Sequence, residues 1–393
     1  MFLKKISIEK FRVLKDIYIQ FEQEFTPTIF PLGSLNGGGK SSLLQLVFTL
    51  LHCSFNKQRH QYLVNLLSIL TFPKRDTITT LAKFDIWHDD KEFYLEFMVS
   101  DNNFEGQNLN LNVFVEDVEE LEQKRLGEAL EVNHSPLLKE EKSRQAKIHH
   151  LLKSKEMLYV THFDNEKVLL CKTNLDDTDI LSKMSDKVYL AAPSTQVFLF
   201  LSEKEKGAVL SRESGGENYL GYINDAKENL TGFFTYDFAS TDLIIKSFEK
   251  ARDKDFEGAL EHGEYGEHLK ILTAELNSLL IDKTITVNKQ LSNIVFKLEN
   301  EEGKLLPEDL SHGELKKLSI YIWLKYYDIE DSLVLMDEIE IGLHPDWQYE
   351  IVNELQEWSK NNQFILATHS YELCQALTPS HVKELEPKLI KAK

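Results

Sequence analysis

Apolar positions recur at two different periods along this chain, and the change of period marks out its elements. Over the first thirty residues they fall in strand fashion: Leu3, Ile6, Ile8 and Phe11, then Ile17, Ile19 and Phe21. Side chains of a strand point alternately to its two faces, so this predicts two short half-buried strands meeting at a turn. A buried third strand ends near Pro31–Leu32, and a glycine-rich loop then opens a helix from Ser41 to about Phe55. Residues 76 to 115 read mostly as strands, with a hairpin turn at His88–Lys91. From about Val118 to Met157 the chain turns to Glu, Lys and Leu at helical spacing, broken at Asn133–Pro136. That predicts a short helical hairpin, because a long coiled coil needs heptads sustained over many turns.

Strand signals return at Met157–Phe163, Lys167–Lys172 and Val188–Ala191. Residues 217 to 282 look mainly helical and irregular, and from Ile285 strands and helices alternate to the end. Two runs there, Ser332–Met336 and Phe364–Ala367, are apolar almost throughout, as expected of strands covered on both faces. No internal repeat or low-complexity tract interrupts the pattern.

Composition adds that the chain is a folded one, 42% hydrophobic and 10% aromatic. Its three cysteines, Cys53, Cys171 and Cys374, are far apart and form no CxxC pair. That favours reduced thiols in a cytoplasmic protein over a disulfide framework or a zinc site. The longest apolar run, about Leu43 to Cys53, is too short to span a bilayer, and the N-terminus offers no signal-peptide core. With 45 Lys and Arg against 64 Asp and Glu, the net charge is −19. This argues against gripping DNA over the whole surface, which works by counterion release, but leaves a local basic groove open.

Five segments carry chemistry. Gly33-Ser34-Leu35-Asn36-Gly37-Gly38-Gly39-Lys40-Ser41-Ser42 lies between a strand and a helix. Backbone N–H groups of such a loop, at a helix N-terminus, cradle phosphates; Lys40 reaches the outer phosphates and Ser41 ligates Mg²⁺. Ser34 stands where the strict motif has glycine. Further on, Leu310-Ser311-His312-Gly313-Glu314 enters an apolar helix (Leu318, Ile320, Ile322, Leu324). Taken alone it is an ordinary capping box, Ser311 with Glu314 three positions on. The Ser332–Met336 strand then ends in Asp337-Glu338, where one acid can hold Mg²⁺ and the next can orient or deprotonate a water. Ile339-Glu340-Ile341-Gly342-Leu343-His344-Pro345 follows, and the last strand delivers Thr368-His369-Ser370.

In this order the series closely resembles the ABC ATPases, and DEIEIGLHP points to their soluble branch of SMC proteins, RecF, OLD nucleases and many antiphage ATPases. The resemblance covers about 1–55 and 285–375. It implies an α/β fold, a two-lobed head with a lobe of mixed and antiparallel sheet, a parallel sheet carrying the phosphate loop, and a helical insertion. The head's N-terminal part is expected over 1–117, the insertion over 118–157, and the C-terminal part over 158–393. ATP and Mg²⁺ are the implied cofactors. The residues implied for the nucleotide are Asn36, Gly37, Gly38, Gly39, Lys40, Ser41 and Ser42, with Ser311, Gly313 and Glu314 facing a nucleotide held by a second protomer. Ser41 and Asp337 serve the metal, Glu338 is the catalytic base and His369 the switch. The branch also places a basic residue of its first strand near the nucleotide, here Arg12, and a glutamine after a strand on the metal, here Gln196. A homodimer closing over two ATP molecules follows from that pattern.

Other segments read as bland. Ser214-Gly215-Gly216-Glu217 is a loop with no leucine before it, and His262, Glu264 and His268 form a polar turn lacking metal-ligand spacing. Asp176, Asp177 and Asp179 also read as a loop. With no membrane segment, no long arms and no Toprim region after His369, the expected role is the ATPase of an antiphage system controlling a separate nuclease or toxin. A RecF-like repair ATPase on DNA, and a slow nucleotide-gated scaffold, stand as alternatives.

Overall fold

The computed structural model describes residues 1–35, 37–68, 70, 78–101, 112–113, 157–163, 167–210, 221, 224–225, 228–236, 240–288, 294–298 and 303–385. The helical hairpin expected over 118–157 falls, but for Met157, outside the described residues, as do Asn36 and the 214–217 segment. Among the described residues no helix is long and apolar enough to cross a membrane.

The N-terminal pattern produces an antiparallel hairpin, β1 (Phe2–Phe11) and β2 (Leu14–Gln20), turned at Arg12 and Val13. The odd spacing from Leu3 to Ile6 has a local cause. A β-bulge between Leu3 and Lys5, in the pairing of β1 with β4 (Thr79–His88), shifts the register. With β5 (Lys91–Asp101), β6 (Asn112–Val113), β7 (Met157–Phe163) and β8 (Lys167–Thr173) these strands form one sheet, ordered β2-β1-β4-β5-β8-β7-β6. It is antiparallel except where β6 meets β7. The β4–β5 turn sits where expected, on Asp89 and Asp90, both at positive φ.

A second sheet is parallel throughout. It contains β3 (Ile29–Gly33), β9 (Val188–Ala192), β10 (Phe233–Thr235), β14 (Leu333–Asp337), β15 (Gln363–Ala367) and β16 (Lys383–Glu384), in the order β10-β9-β14-β15-β3-β16. The α/β class, with a mixed, mostly antiparallel sheet beside a parallel one, is as the sequence led us to expect. β11 (Lys283–Val287), β12 (Ile294–Leu298) and β13 (Lys304–Leu305) form a small antiparallel sheet.

Helices explain why β14 and β15 are apolar at successive positions. α1 (Lys40–Phe48), α2 (His60–Leu67) and α3 (Asp179–Ser185) share a core with the antiparallel sheet, and Leu333, Leu335, Ile365 and Ala367 face it. α4 (Glu203–Leu210) follows β9 in the chain. On the other face lie α5 (Ser240–His262), α6 (His268–Ser278), α7 (His312–Tyr326), α8 (Pro345–Trp358) and α9 (Tyr371–Gln375), whose core takes Val334, Met336, Phe364 and Leu366. Alternate side chains thus enter different cores, and no position is left for a polar face. Region 217–282 holds α5 and α6, but also β10, a short strand on the edge of the parallel sheet.

One buried side chain stitches the two large sheets together. Gln363 accepts the Leu3 N–H at 2.7 Å and donates to the Leu3 carbonyl at 2.9 Å. The β1–β2 register begins only at Lys5, so Gln363 satisfies backbone groups beyond it.

Candidate nucleotide site

Because every strand of the second sheet runs the same way, the carboxyl ends of β3, β9, β14 and β15 open on one edge, where such sheets bind ligands. β15 lies between β3 and β14, which sets its terminal histidine between the glycine-rich loop and the acidic pair.

The loop after β3 ends at Gly39, which caps α1 in the left-handed conformation, φ 93°. Glycine is required there twice over. A Cβ would strain that φ, and it would lie 2.5 Å from Leu14 Cδ2 and 2.9 Å from Val13 Cγ2. The β1–β2 turn therefore rests directly on the glycine-rich loop. Gly37 also has positive φ, 81°, but open space around it, while the Gly38 N–H is used within the loop, donating to the Leu35 carbonyl at 3.0 Å. Lys40, 6% exposed, donates to the Ser34 hydroxyl at 3.2 Å and carbonyl at 3.3 Å, and lies 2.9 Å from His369 Nε2. Ser42 is half-buried on the first turn of α1.

Three oxygen-bearing side chains meet at the end of β14. The Ser41 hydroxyl donates to Asp337 Oδ1 at 3.1 Å, and the Gln196 amide, from the 3₁₀ turn Ser194–Leu199 after β9, donates to Asp337 Oδ2. Asp337 is 1% exposed. Burial pushes its carboxyl up to about 6 against the bonds from Ser41 and Gln196, and the charges of Glu338 and Glu340 add to the rise. A divalent cation beside it would offset that cost, and hydroxyl, carboxylate and amide oxygen suit a hard ion such as Mg²⁺. To ligate it, Gln196 would have to turn its amide so that oxygen faces the ion. No group of three or more His, Cys, Asp or Glu that could hold a metal occurs among the described residues.

Gln45 has no role in the sequence pattern, where it only breaks an apolar run. Buried on α1 one turn after Ser41, it donates to Gln196 Oε1 at 2.9 Å and accepts from Arg12 Nη1 at 3.2 Å. Arg12 is thus turned toward the site from the β1–β2 turn, at φ 51°, and joined to Asp337 through two amides. The available signal was a lone polar residue four positions from Ser41 on an otherwise apolar helix face.

Glu338 follows Asp337 at φ 52°, an uncommon conformation for a side-chain-bearing residue, with its N–H bonded to the Ala367 carbonyl at 2.9 Å. The turn presents its half-buried side chain beside Asp337. His369 is exposed at the end of β15, and its backbone N–H donates to Glu340 Oε1 at 2.6 Å. Glu340, to which the sequence pattern assigns no role, therefore holds the histidine's backbone; its Oε2 is buried and has no bond.

At the head of α7, Ser311 is exposed and the capping box is formed in full. Ser311 Oγ accepts the Glu314 N–H at 3.3 Å, and Glu314 Oε2 accepts the Ser311 N–H at 3.1 Å. Glu314 departs from the expectation that it faces a nucleotide. It is buried behind Ser311 with Lys283 at 2.7 Å; burial alone would raise its carboxyl, but the bonds from Lys283 and Ser311 outweigh that and hold it below the ordinary value. Gly313 is buried too: a Cβ there would lie 2.6 Å from the Gly342 carbonyl. In the polar turn near His262, His268 bonds Asp255, Nδ1 to Oδ1 at 2.8 Å. All three cysteines are free.

Residues 198–375 match the family described as "AAA domain, putative AbiEii toxin, Type IV TA system"; the phosphate loop lies outside that stretch. The chain is 34% identical over 125 residues to Retron Vc95 probable ATPase of Vibrio cholerae serotype O1 biovar El Tor, covering 30% of this chain and 24% of that protein. It is 42% identical over 51 residues to Retron Ec83 probable ATPase of Escherichia coli, 13% of this chain and 9% of that one. Septu protein PtuA of Bacillus mycoides (strain KBAB4) matches at 33% over 105 residues, 24% and 14% of the two chains. The matches thus span a quarter or less of those relatives' own lengths. The SMC head domain from Thermotoga maritima superposes with a TM-score of 0.42 at 11% identity, over 96% of this chain and 92% of that one, too loose a likeness to carry weight. Residues 198–375 are thus similar to an AAA domain, and parts of the chain are similar to the retron probable ATPases and to Septu protein PtuA.

Proposed function

We propose that this protein binds and hydrolyses Mg-ATP, and that two copies close over two nucleotides as a switch governing a separate effector in antiphage defence. The observation that carries the reading is the meeting of Lys40, Ser41, Gln196, Asp337, Glu338 and His369 at one edge of the parallel sheet. The glycine-rich loop and the head of α1 supply N–H donors to phosphate, and Lys40 neutralises the outer phosphates once it leaves Ser34. Ser41, Asp337 and Gln196 would hold Mg²⁺, which would screen the phosphate charge. Glu338 takes the proton of the attacking water, and His369 marks the γ-phosphate position from beside Lys40. Ser311, exposed at the start of α7, completes the partner's site, so that ATP joins the two protomers and its loss frees them. The retron and Septu names of the relatives support the setting in defence.

A Glu338→Gln variant tests this. With Mg-ATP it should elute as a dimer retaining nucleotide, with turnover lowered by about a hundredfold or more, the usual range for loss of a general base. A variant that stays monomeric and releases ATP would overturn the reading.

A further inference from the structure

The start of α7 and the loop after β14 touch at two points about one helical turn apart. At the first, Gly313 packs so closely on the Gly342 carbonyl that a Cβ would stand 2.6 Å from it. At the second, the Lys316 ammonium donates to the carbonyls of Glu338, at 2.9 Å, and Ile341, at 3.0 Å. Lys316 is 7% exposed, and its ammonium lies 4.1 Å from the centroid of the Tyr236 ring. A cation in such a place is costly unless its surroundings compensate it, and here backbone dipoles and an aromatic face do so. Both carbonyls belong to the short turn that sets the Glu338 side chain, closed by the Ile341 N–H on the Glu338 carbonyl at 3.2 Å. The same turn carries Glu340, whose carboxylate holds the His369 N–H.

We propose that Lys316 is a positioning residue that fastens this turn to α7, so that docking of Ser311 on a partner's nucleotide sets the Glu338 backbone for hydrolysis. This rests on the sandwich dimer proposed above. Glu338 sits at φ 52°, so a small shift of its own carbonyl re-aims the carboxylate. Lys316 pulls on that carbonyl directly. Helix α7 therefore reports the partner's presence to the base without any change in the phosphate loop, which lies across the sheet on β3 and α1.

The test is ATP turnover per protomer across protein concentrations spanning the dimerisation midpoint, with binding of a fluorescent ATP analogue measured in parallel. Wild-type turnover should rise with concentration. Lys316→Met, which keeps the apolar stem, should bind the analogue within about twofold of wild type yet lose about tenfold in maximal turnover, with a flattened concentration dependence. Lys316→Arg, able to reach the same carbonyls, should restore both. A Lys316→Met protein whose turnover still rises with concentration to near the wild-type maximum overturns the assignment. So does a folded Lys316→Arg protein without the rise, should the methionine variant fail to fold. A wild type whose turnover ignores concentration would instead remove the sandwich dimer itself, and this inference with it.

Discussion

Asp337 is the residue at which pH and metal should be felt together. Its folded-state value, about 6, stands above the ordinary 3.8, so between those values the folded protein holds more proton than the unfolded chain. Ligand-free stability therefore falls as pH rises through that window and levels off above it. The deficit at neutral pH is on the order of 2–3 kcal/mol, since each tenfold change in the proton equilibrium is worth about 1.4 kcal/mol. Asp337→Asn should raise the ligand-free melting temperature at pH 7.5, flatten its dependence between those pH values and abolish Mg²⁺-dependent nucleotide binding. Melting curves at several pH values with and without Mg²⁺ decide this; a variant less stable than wild type at pH 7.5 would show that the carboxylate is not held against its preference. Gln45 and Gln196 matter at the same scale, because two neutral amides pass orientation from Arg12 to this carboxylate without placing another charge in the core.

At the scale of elements, the glycine-rich loop is braced by the strand hairpin that lies over it. Gly37 and Gly39 both take positive φ, yet only Gly39 meets another element, the β1–β2 turn at Leu14 and Val13. Gly37→Ala should cost backbone strain of about 1–2 kcal/mol. Gly39→Ala should cost that plus a steric clash, lowering the melting temperature further and weakening ATP-analogue binding more. Equal losses in the two variants, read by thermal melts and analogue titration, would mean that the hairpin does not brace the loop. Helix α7 makes a matching case on the other side of the sheet, where Ser311 and Glu314 cap it and Gly313 lets the loop after β14 approach. The capping reading of this segment is realised there, and Ser311 stands exposed at the start of the helix.

For the whole molecule, the net charge of −19 argues against a duplex gripped along the surface. Expressed with its genomic neighbours, the Glu338→Gln form in Mg-ATP should co-purify with a stoichiometric protein whose retention differs from that in wild type without ATP. Recovery of a clean homodimer carrying DNA would move the assignment to a repair ATPase. The candidate site draws on both large sheets: Arg12 comes from the antiparallel one, and every other member of the cluster from the parallel one or a helix beside it.

Local pattern marked most of the strands, the glycine-rich loop, and Lys40, Ser41, Asp337 and Glu338 as candidates, and the family resemblance added His369. Period and spacing are properties of consecutive residues, and phosphate chemistry demands a few residue types at set intervals. Tertiary structure decided what touches what. Gln45, Glu340 and Lys316 occupy positions that look like unremarkable polar residues near a motif, and their roles arise from partners 22 to 151 positions away in the chain. Glu314 shows the converse, a motif residue that burial diverts to Lys283. The strand order that sets β15 between β3 and β14 was equally invisible, because pairing is fixed by which apolar faces can be buried together, a choice made by the whole chain at once.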